Sequence, residues 1–496
     1  MSTRQRYPII YVRGYAMTKS EITETTSTPY MGLEYGSTKS RQAWNGAVRK
    51  VFFESPIVRL MKLGYKDIYQ DGLQLETGRI APESIVIHRY YDVADPDFGT
   101  GKVPTVEQAA KGLSDLILRV RDQVCRDGQM KPEDFRVYLV AHSMGGLVCR
   151  CFLQNEAVGS PEARKLVDKA FTYATPHNGI EMAGMNVPGF FELWDMDNFN
   201  RDRMREYLAI KDKKAPANSL DGKFDPARFF CLVGTNSKDY AVAKGASRLL
   251  AGELSDGLVR ISNAYVDGAP RAHVHRSHSG PYGIVNSEEG FQNLTRFLFG
   301  DIRVDIWVDI ESVQLPPEIQ GKPVNALYQF ELLASPRGKR WYLTRRMAEE
   351  DSVACRSHQE LIDPANKSAR SLYLSSVFLA KHARVNPEHP SLAYSLTLGV
   401  RVPDYEVERK FWPDAHFEGG YLFRDALVVE IVPPQQSGES WTALFDWQSD
   451  QIGRASRPLA PQTLKTGKLI MSIPFGSTRS PGIAGQLRFV VSAWNG

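Results

Sequence analysis

The sequence predicts a mainly parallel α/β domain over residues 1–300, followed by an all-β, sandwich-like domain over residues 301–496. Two observations carry this. In the first 300 residues, short runs that are nearly continuous in apolar or β-branched residues (PIIYVRG, SIVIHRYY, FRVYLVAH, KAFTYATP and RFFCLVGT) are separated by stretches with helical spacing. Continuous apolar strands with helices between them imply a sheet covered on both faces. After RFLFGD the period falls to two: Ile302, Val304, Ile306, Val308 and Ile310 alternate strictly, as do Leu392, Tyr394, Leu396, Leu398 and Val400. Turn clusters such as LPPEIQGKP, ASPRGK and VPPQQSGES divide these runs, the pattern of antiparallel strands with one wet face.

A chain of 496 residues is too long for one ordinary core and has ample length to bury a site. Its 61 basic and 57 acidic residues leave a formal charge of only +4, a balance that points to neither nucleic acid nor an acidic partner. The start, MSTRQRYPIIYVRG, carries only the short apolar run PIIYV, too brief for a secretory h-region, and no run of about 18 apolar residues follows. The five cysteines show no metal-like spacing, and Cys149 and Cys151 lie two apart on an expected helix, where side chains do not face each other. Reduced thiols in a cytoplasmic protein are the expectation; export without a cleaved signal would give the same sequence.

Taken in order, the first strand PIIYVRG is followed by KSRQAWNGAVRKVFFESPIVRLMKLGY, a basic amphipathic stretch suited either to a packed helix with a solvated face or to a lipid surface. In TVEQAAKGLSDLILRVRDQV, residues Ala109, Leu113, Leu116 and Val120 fall on one helical face. Then VYLVAHSMGGLVCRCFL passes from β-formers through a cramped Ser-Met-Gly-Gly into a helix on which Met144, Leu147, Val148 and Cys151 share a face. A sharp strand-to-helix turn lifts the Ser143 hydroxyl out of the sheet and aims free helix N–H groups at the same point, which is what a nucleophilic serine needs. The chain passes so close to itself there that small residues are required two before and two after the serine, and Ala141 and Gly145 occupy those places.

The sequence at this point resembles the α/β-hydrolase superfamily, and within it lipase-like esterases. The resemblance is carried by YPIIYVRGY, AHSMGG, YATPHNG, SDGLV at 255–259 and RSHSGPYGIVN, spans about residues 5–300, and follows the family's order of nucleophile, acid and base. It implies a base on a loop after the last strands, ahead of a closing helix. His273, His275 and His278 lie in that region; His278 opens the loop that leads into NSEEGFQNLTRFLFG, whereas the other two alternate with apolar residues as on a strand. His177, in TPHNG, looks like part of a structural turn. For the acid, Asp256 sits in an SDG turn with LVRIS read as a short strand after it; Asp225 and Asp239 compete. The oxyanion hole implied by the resemblance uses the backbone N–H of Met144 and, aligned on the lipase His-Gly pair, that of Tyr15, with Arg13 where the family has histidine.

The expected chemistry is hydrolysis of a hydrophobic acyl ester or lipid through an acyl-enzyme, with no metal or organic cofactor. A thioesterase or amidase with the same residues, and a non-catalytic scaffold whose β-domain binds a partner, are the alternatives. The insertion from Gly179 to about Asp225 is rich in Met, Phe and Trp, with Gly184, Pro188 and Gly189 among them, a lid-like composition of short segments.

Overall fold

The computed structural model describes the chain apart from residues 1–4, 15–32, 34–37, 43–44, 47, 53–54, 69–77, 95–99, 129, 181–198, 213, 238–253, 281–282, 385, 387, 408–414, 433–438, 440–441, 451–454, 465 and 496. It forms two compact units: Met1–Arg271 with Arg276–Leu294, and Ala272–His275 with Thr295–Gly496.

Each of the five apolar runs becomes a strand. β1 (Ile9–Val12) is buried at every position, as a strand covered on both faces must be. A hairpin, β2 (Thr38–Gln42) and β3 (Val48–Phe52), and helix α1 (Pro56–Lys62) follow, then β4 (Lys66–Asp67) and β5 (Ser84–Ile87). The basic stretch after β1 is therefore not one amphipathic helix. Asn45-Gly46 breaks it, with Gly46 at φ 80°, and Asn-Gly is the strongest short hairpin signal.

Helix α2 (Val106–Cys125) begins with a full capping box between Thr105 and Gln108, and buries Ala109, Leu113, Ile117 and Val120. Leu116, expected on that face, is only half-buried beside Ile117. β6 (Val137–His142), α3 (Met144–Gln154), α4 (Pro161–Lys165), β7 (Val167–Tyr173), α5 (Arg201–Tyr207), β8 (Phe229–Gly234), β9 (Arg271–Val274) and α6 (Glu288–Phe299) complete the element order.

The sheet runs β4-β5-β1-β6-β7-β8-β9, and β1 pairs in parallel with both β5 and β6. The chain goes from β1 to β4 and β5 on one side, then returns as β6 on the other. The order thus reverses at β1, and ligands of open α/β sheets bind at the carboxyl ends of the strands beside such a switch point. Ser143 is the residue that follows β6.

The second unit holds two antiparallel sheets. One runs Ser371–Leu379, Ile302–Gln314, Gly482–Ala493, Leu469–Gly476, Gln462–Thr463; the other runs Thr344–Arg346, Val324–Pro336, Leu392–Val407, Ala415–Val432, Thr442–Trp447, Arg457–Pro458, with Ala354–Ser357 also paired to Val324–Pro336. Ile302–Gln314 alternates buried and half-buried residues through Ile310, as its period of two requires. Residues of both sheets, among them Val308, Phe330, Leu398, Ile473 and Leu487, share one buried core, which makes this unit a sandwich. The division between the units falls inside α6, whose second half belongs with these strands: Phe297 packs against Phe378 and Trp494, and the Trp494 indole N–H donates to the Phe297 carbonyl. Among the described residues no helix is long and apolar enough to cross a membrane.

Candidate active site

The site begins with backbone strain. Ser143 sits at φ 53°, ψ −129°, a conformation that non-glycine residues rarely adopt and that costs on the order of 1–3 kcal/mol. The surroundings hold it there. Its N–H donates to the Tyr173 carbonyl at 2.9 Å, and its own carbonyl accepts from Gly146 N–H at 3.0 Å and from the Thr175 hydroxyl at 2.7 Å. The glycines are explained by close approach: a Cβ on Gly145 would lie 2.2 Å from the Val12 carbonyl oxygen, and one on Gly14 would lie 2.4 Å from the Ser143 Cβ. Small side chains let the start of α3 press against the end of β1.

His278 stands where the loop after β9 crosses back over this turn. Its Nε2 is 2.9 Å from Ser143 Oγ, and its Nδ1 is 2.9 Å from Asp256 Oδ2. The carboxylate can only accept, so Nδ1 carries the proton, and Nε2 presents a lone pair to the serine hydroxyl. Asp256 follows β8, and its Oδ1 accepts from Leu258 N–H at 3.0 Å and Val259 N–H at 2.8 Å. That leaves Oδ2 for the imidazole. The His278 N–H also donates to the Asp256 carbonyl at 3.0 Å, so acid and base are joined through both backbone and side chain. All three are nearly dry, with exposures of 7% for Ser143, 1% for Asp256 and 3% for His278, so the charge on the carboxylate is weakly screened.

The competing residues are elsewhere. Asp225 caps the short 3-10 turn Pro226–Arg228 before β8, at the opposite end of that strand, and Asp239 lies outside the described residues. His273 is a buried β9 residue, and His275 faces Glu350 at 3.4 Å. LVRIS is not a strand: Ser255 and Arg260 form an isolated bridge, and Ile261–Asn263 is a 3-10 turn. The two N–H groups drawn to Asp256 Oδ1 fold this segment into a loop. His177 is buried in the turn after β7, with Nε2 3.0 Å from the Thr172 hydroxyl oxygen.

Met144 is the first residue of α3, so its N–H has no partner within the helix. Tyr15 lies outside the described residues, as does 181–198, the apolar heart of the insertion. From Phe199 the insertion is packed: Met204, Tyr207 and Leu208 are buried.

Two residues of the site were not singled out from sequence. His142, next to the serine, has Nε2 2.9 Å from the His278 carbonyl oxygen. Arg150, fully buried on α3, donates to the carbonyls of His177, Ala217 and Ser219 and to the Gln154 side chain. A lone arginine in the apolar run GGLVCRCFL was the available signal.

Strand order, the strained turn after β6 and the positions of Asp256 and His278 after β8 and β9 define an α/β-hydrolase fold. No family model and no curated protein matches the sequence. Among solved structures the chain is similar to phospholipase PlaB from Legionella pneumophila, at 14% identity and a TM-score of 0.34, over 83% of this chain and 90% of that one. It is similar also to a metagenomic carboxyl esterase (14%, 0.30, 56% of this chain) and to Aspergillus fumigatus lipase B (13%, 0.26, 54% of this chain), spanning 65% and 44% of their lengths.

Proposed function

We propose that this chain is a serine carboxyl-ester hydrolase of lipase or phospholipase type, acting on hydrophobic acyl esters. The observation that carries the reading is the continuous line of hydrogen bonds from Ser143 Oγ through the His278 ring to Asp256, each 2.9 Å long, at a strained strand-to-helix turn. Ser143 Oγ attacks the ester carbonyl as its proton passes to His278 Nε2. The N–H groups of Met144 and Tyr15 receive the oxyanion. When the tetrahedral intermediate collapses, the C–O bond to the alcohol breaks and His278 returns the proton to that oxygen, leaving an acyl-Ser143 ester. Water, deprotonated by the same nitrogen, then releases the acid. Asp256 keeps His278 in the required tautomer and stabilises the imidazolium in each half.

The acyl preference rests on composition. Met182, Met185, Val187, Phe190, Phe191, Leu193 and Trp194 give the insertion a greasy composition, and they lie outside the described residues. Such a segment serves as a lid and as a wall for an acyl chain. The β-sandwich acts as an accessory domain that helps present aggregated or membrane-bound substrate.

The test is kcat/KM on p-nitrophenyl esters from acetate to palmitate. Medium and long chains are expected to exceed acetate by about 1–3 kcal/mol in transition-state binding. Ser143→Ala, His278→Ala and Asp256→Asn are expected to fall by about 10⁴–10⁶ in rate. A flat or falling series rejects the lipase reading, and near-normal Asp256→Asn moves the acid elsewhere.

A further inference from the structure

We propose that His142 is a positioning residue for the base: its Nε2–H holds the backbone carbonyl of His278 and so fixes the loop that brings His278 over Ser143. This rests on the reading of Ser143 and His278 given above. The two nitrogens involved face opposite duties. A carbonyl oxygen accepts only, so the 2.9 Å contact from His142 Nε2 to His278 O requires the proton on His142 Nε2. On His278, in contrast, the Asp256 contact requires the proton on Nδ1. The rings lie 5.0 Å apart between centroids at 45°, and His142 is buried.

The geometry joins two distant parts of the chain at adjacent residues. Ser143 Oγ meets the His278 side chain and His142 Nε2 meets the His278 backbone, so the end of β6 grips the same residue twice. Asp256 grips it twice more, from the loop after β8. These four contacts leave the imidazole little freedom to turn away from the hydroxyl. Without His142 the buried His278 carbonyl loses this donor, and one of the contacts that hold the loop is gone.

The donor must also survive turnover. Burial first, with the neighbouring His278 and Arg13 adding to it, drives the His142 pKa well below the ordinary histidine value. It therefore remains neutral while His278 gains and loses its proton. A second cation beside the imidazolium would oppose the step that Asp256 favours.

The test compares His142→Leu, which keeps bulk but removes the donor, with His142→Gln, whose amide N–H reaches a similar point. Full-length wild type and both variants are assayed for kcat and KM on p-nitrophenyl butyrate, for the rate of labelling by a fluorophosphonate, and for thermal midpoint. His142→Leu is expected to lose about 10- to 100-fold in kcat and in labelling rate with KM little changed, the scale of a small misplacement of a reacting group. His142→Gln is expected to recover to within a few-fold of wild type. Wild-type kcat in a folded His142→Leu protein overturns the proposal, as does an equal loss in both variants. If His142→Leu does not fold, the His142→Gln result alone decides: near-normal kcat supports the role and a His142→Leu-scale loss in a folded protein removes it. Wild type that resists labelling at Ser143 overturns the nucleophile reading itself and the role of His142 with it, whereas labelled wild type with an unaffected His142→Leu overturns the role alone.

Discussion

Arg150 shows how much of the site is held from behind. A guanidinium in a fully buried place, with no carboxylate among its described partners, keeps its charge because three carbonyls and an amide surround it, although burial lowers its pKa to about 10. One of those carbonyls, that of His177, belongs to the turn after β7 and the other two, of Ala217 and Ser219, to the later part of the insertion, so one side chain ties both to α3. Arg150→Met strands buried acceptors, each worth about 1–3 kcal/mol. The expected result is a loss of about 2–5 kcal/mol in urea unfolding; a change below about 1 kcal/mol would show that these segments are held by other contacts. At the same scale, chain order and turn chemistry limit where Ser143, Asp256 and His278 belong in the sequence, and the three side chains lie within hydrogen-bond distance of one another in turn. His142 was passed over because it precedes the serine in the chain; the role proposed for it depends on a carbonyl, which has no sequence signature.

At the scale of elements, the turn after β6 works because β1 and α3 approach until glycine is required. Gly145→Ala places a methyl 2.2 Å from the Val12 carbonyl oxygen and 2.7 Å from that of Arg13, both backbone atoms that cannot rotate aside. The variant is expected to lose about 3 kcal/mol of stability and on the order of 100-fold in kcat/KM, whereas Gly420→Ala, which meets nothing within 4 Å, serves as the neutral control. Equal behaviour of the two would contradict the close-approach account. The five apolar strands were legible because each is buried on both sides and carries no competing period. The stretch 39–65 was misread because its basic and apolar residues suit a helix by composition, while Asn45-Gly46 dictates a hairpin through its backbone. LVRIS was misread for a different reason: its N–H groups are claimed by the Asp256 carboxylate, a tertiary contact that overrides strand propensity.

Across the whole molecule, neutral buried histidines tie stability to pH. Burial holds His88 at about 4, where its Nε2 contacts the Ala109 carbonyl, and holds His142 and His177 well below the ordinary value. The unfolded chain takes up these protons near pH 6.5 and the folded chain resists them. Stability from this source is therefore complete above about pH 6.5 and is lost as pH falls toward the folded values. His88 alone is worth about 2–3 kcal/mol between pH 6.5 and 4.5. Thermal midpoints are expected to fall steadily over that interval, and a flat or rising profile would mean that the histidines become charged without unfolding. The same burial pushes the Cys149 and Cys151 thiols far up and Cys231 up to about 11, which keeps all three as unreactive thiols inside the fold.

The central claim is that Ser143 is a nucleophile activated by His278. The most direct measurement treats the full-length protein with a fluorophosphonate and maps the adduct by peptide mass spectrometry. A single adduct on Ser143 in wild type is expected, absent in Ser143→Ala and strongly slowed in His278→Ala, because the phosphonylation uses the same proton transfer as ester attack. An unlabelled wild-type protein that is fully folded, or an adduct on another residue, would contradict it.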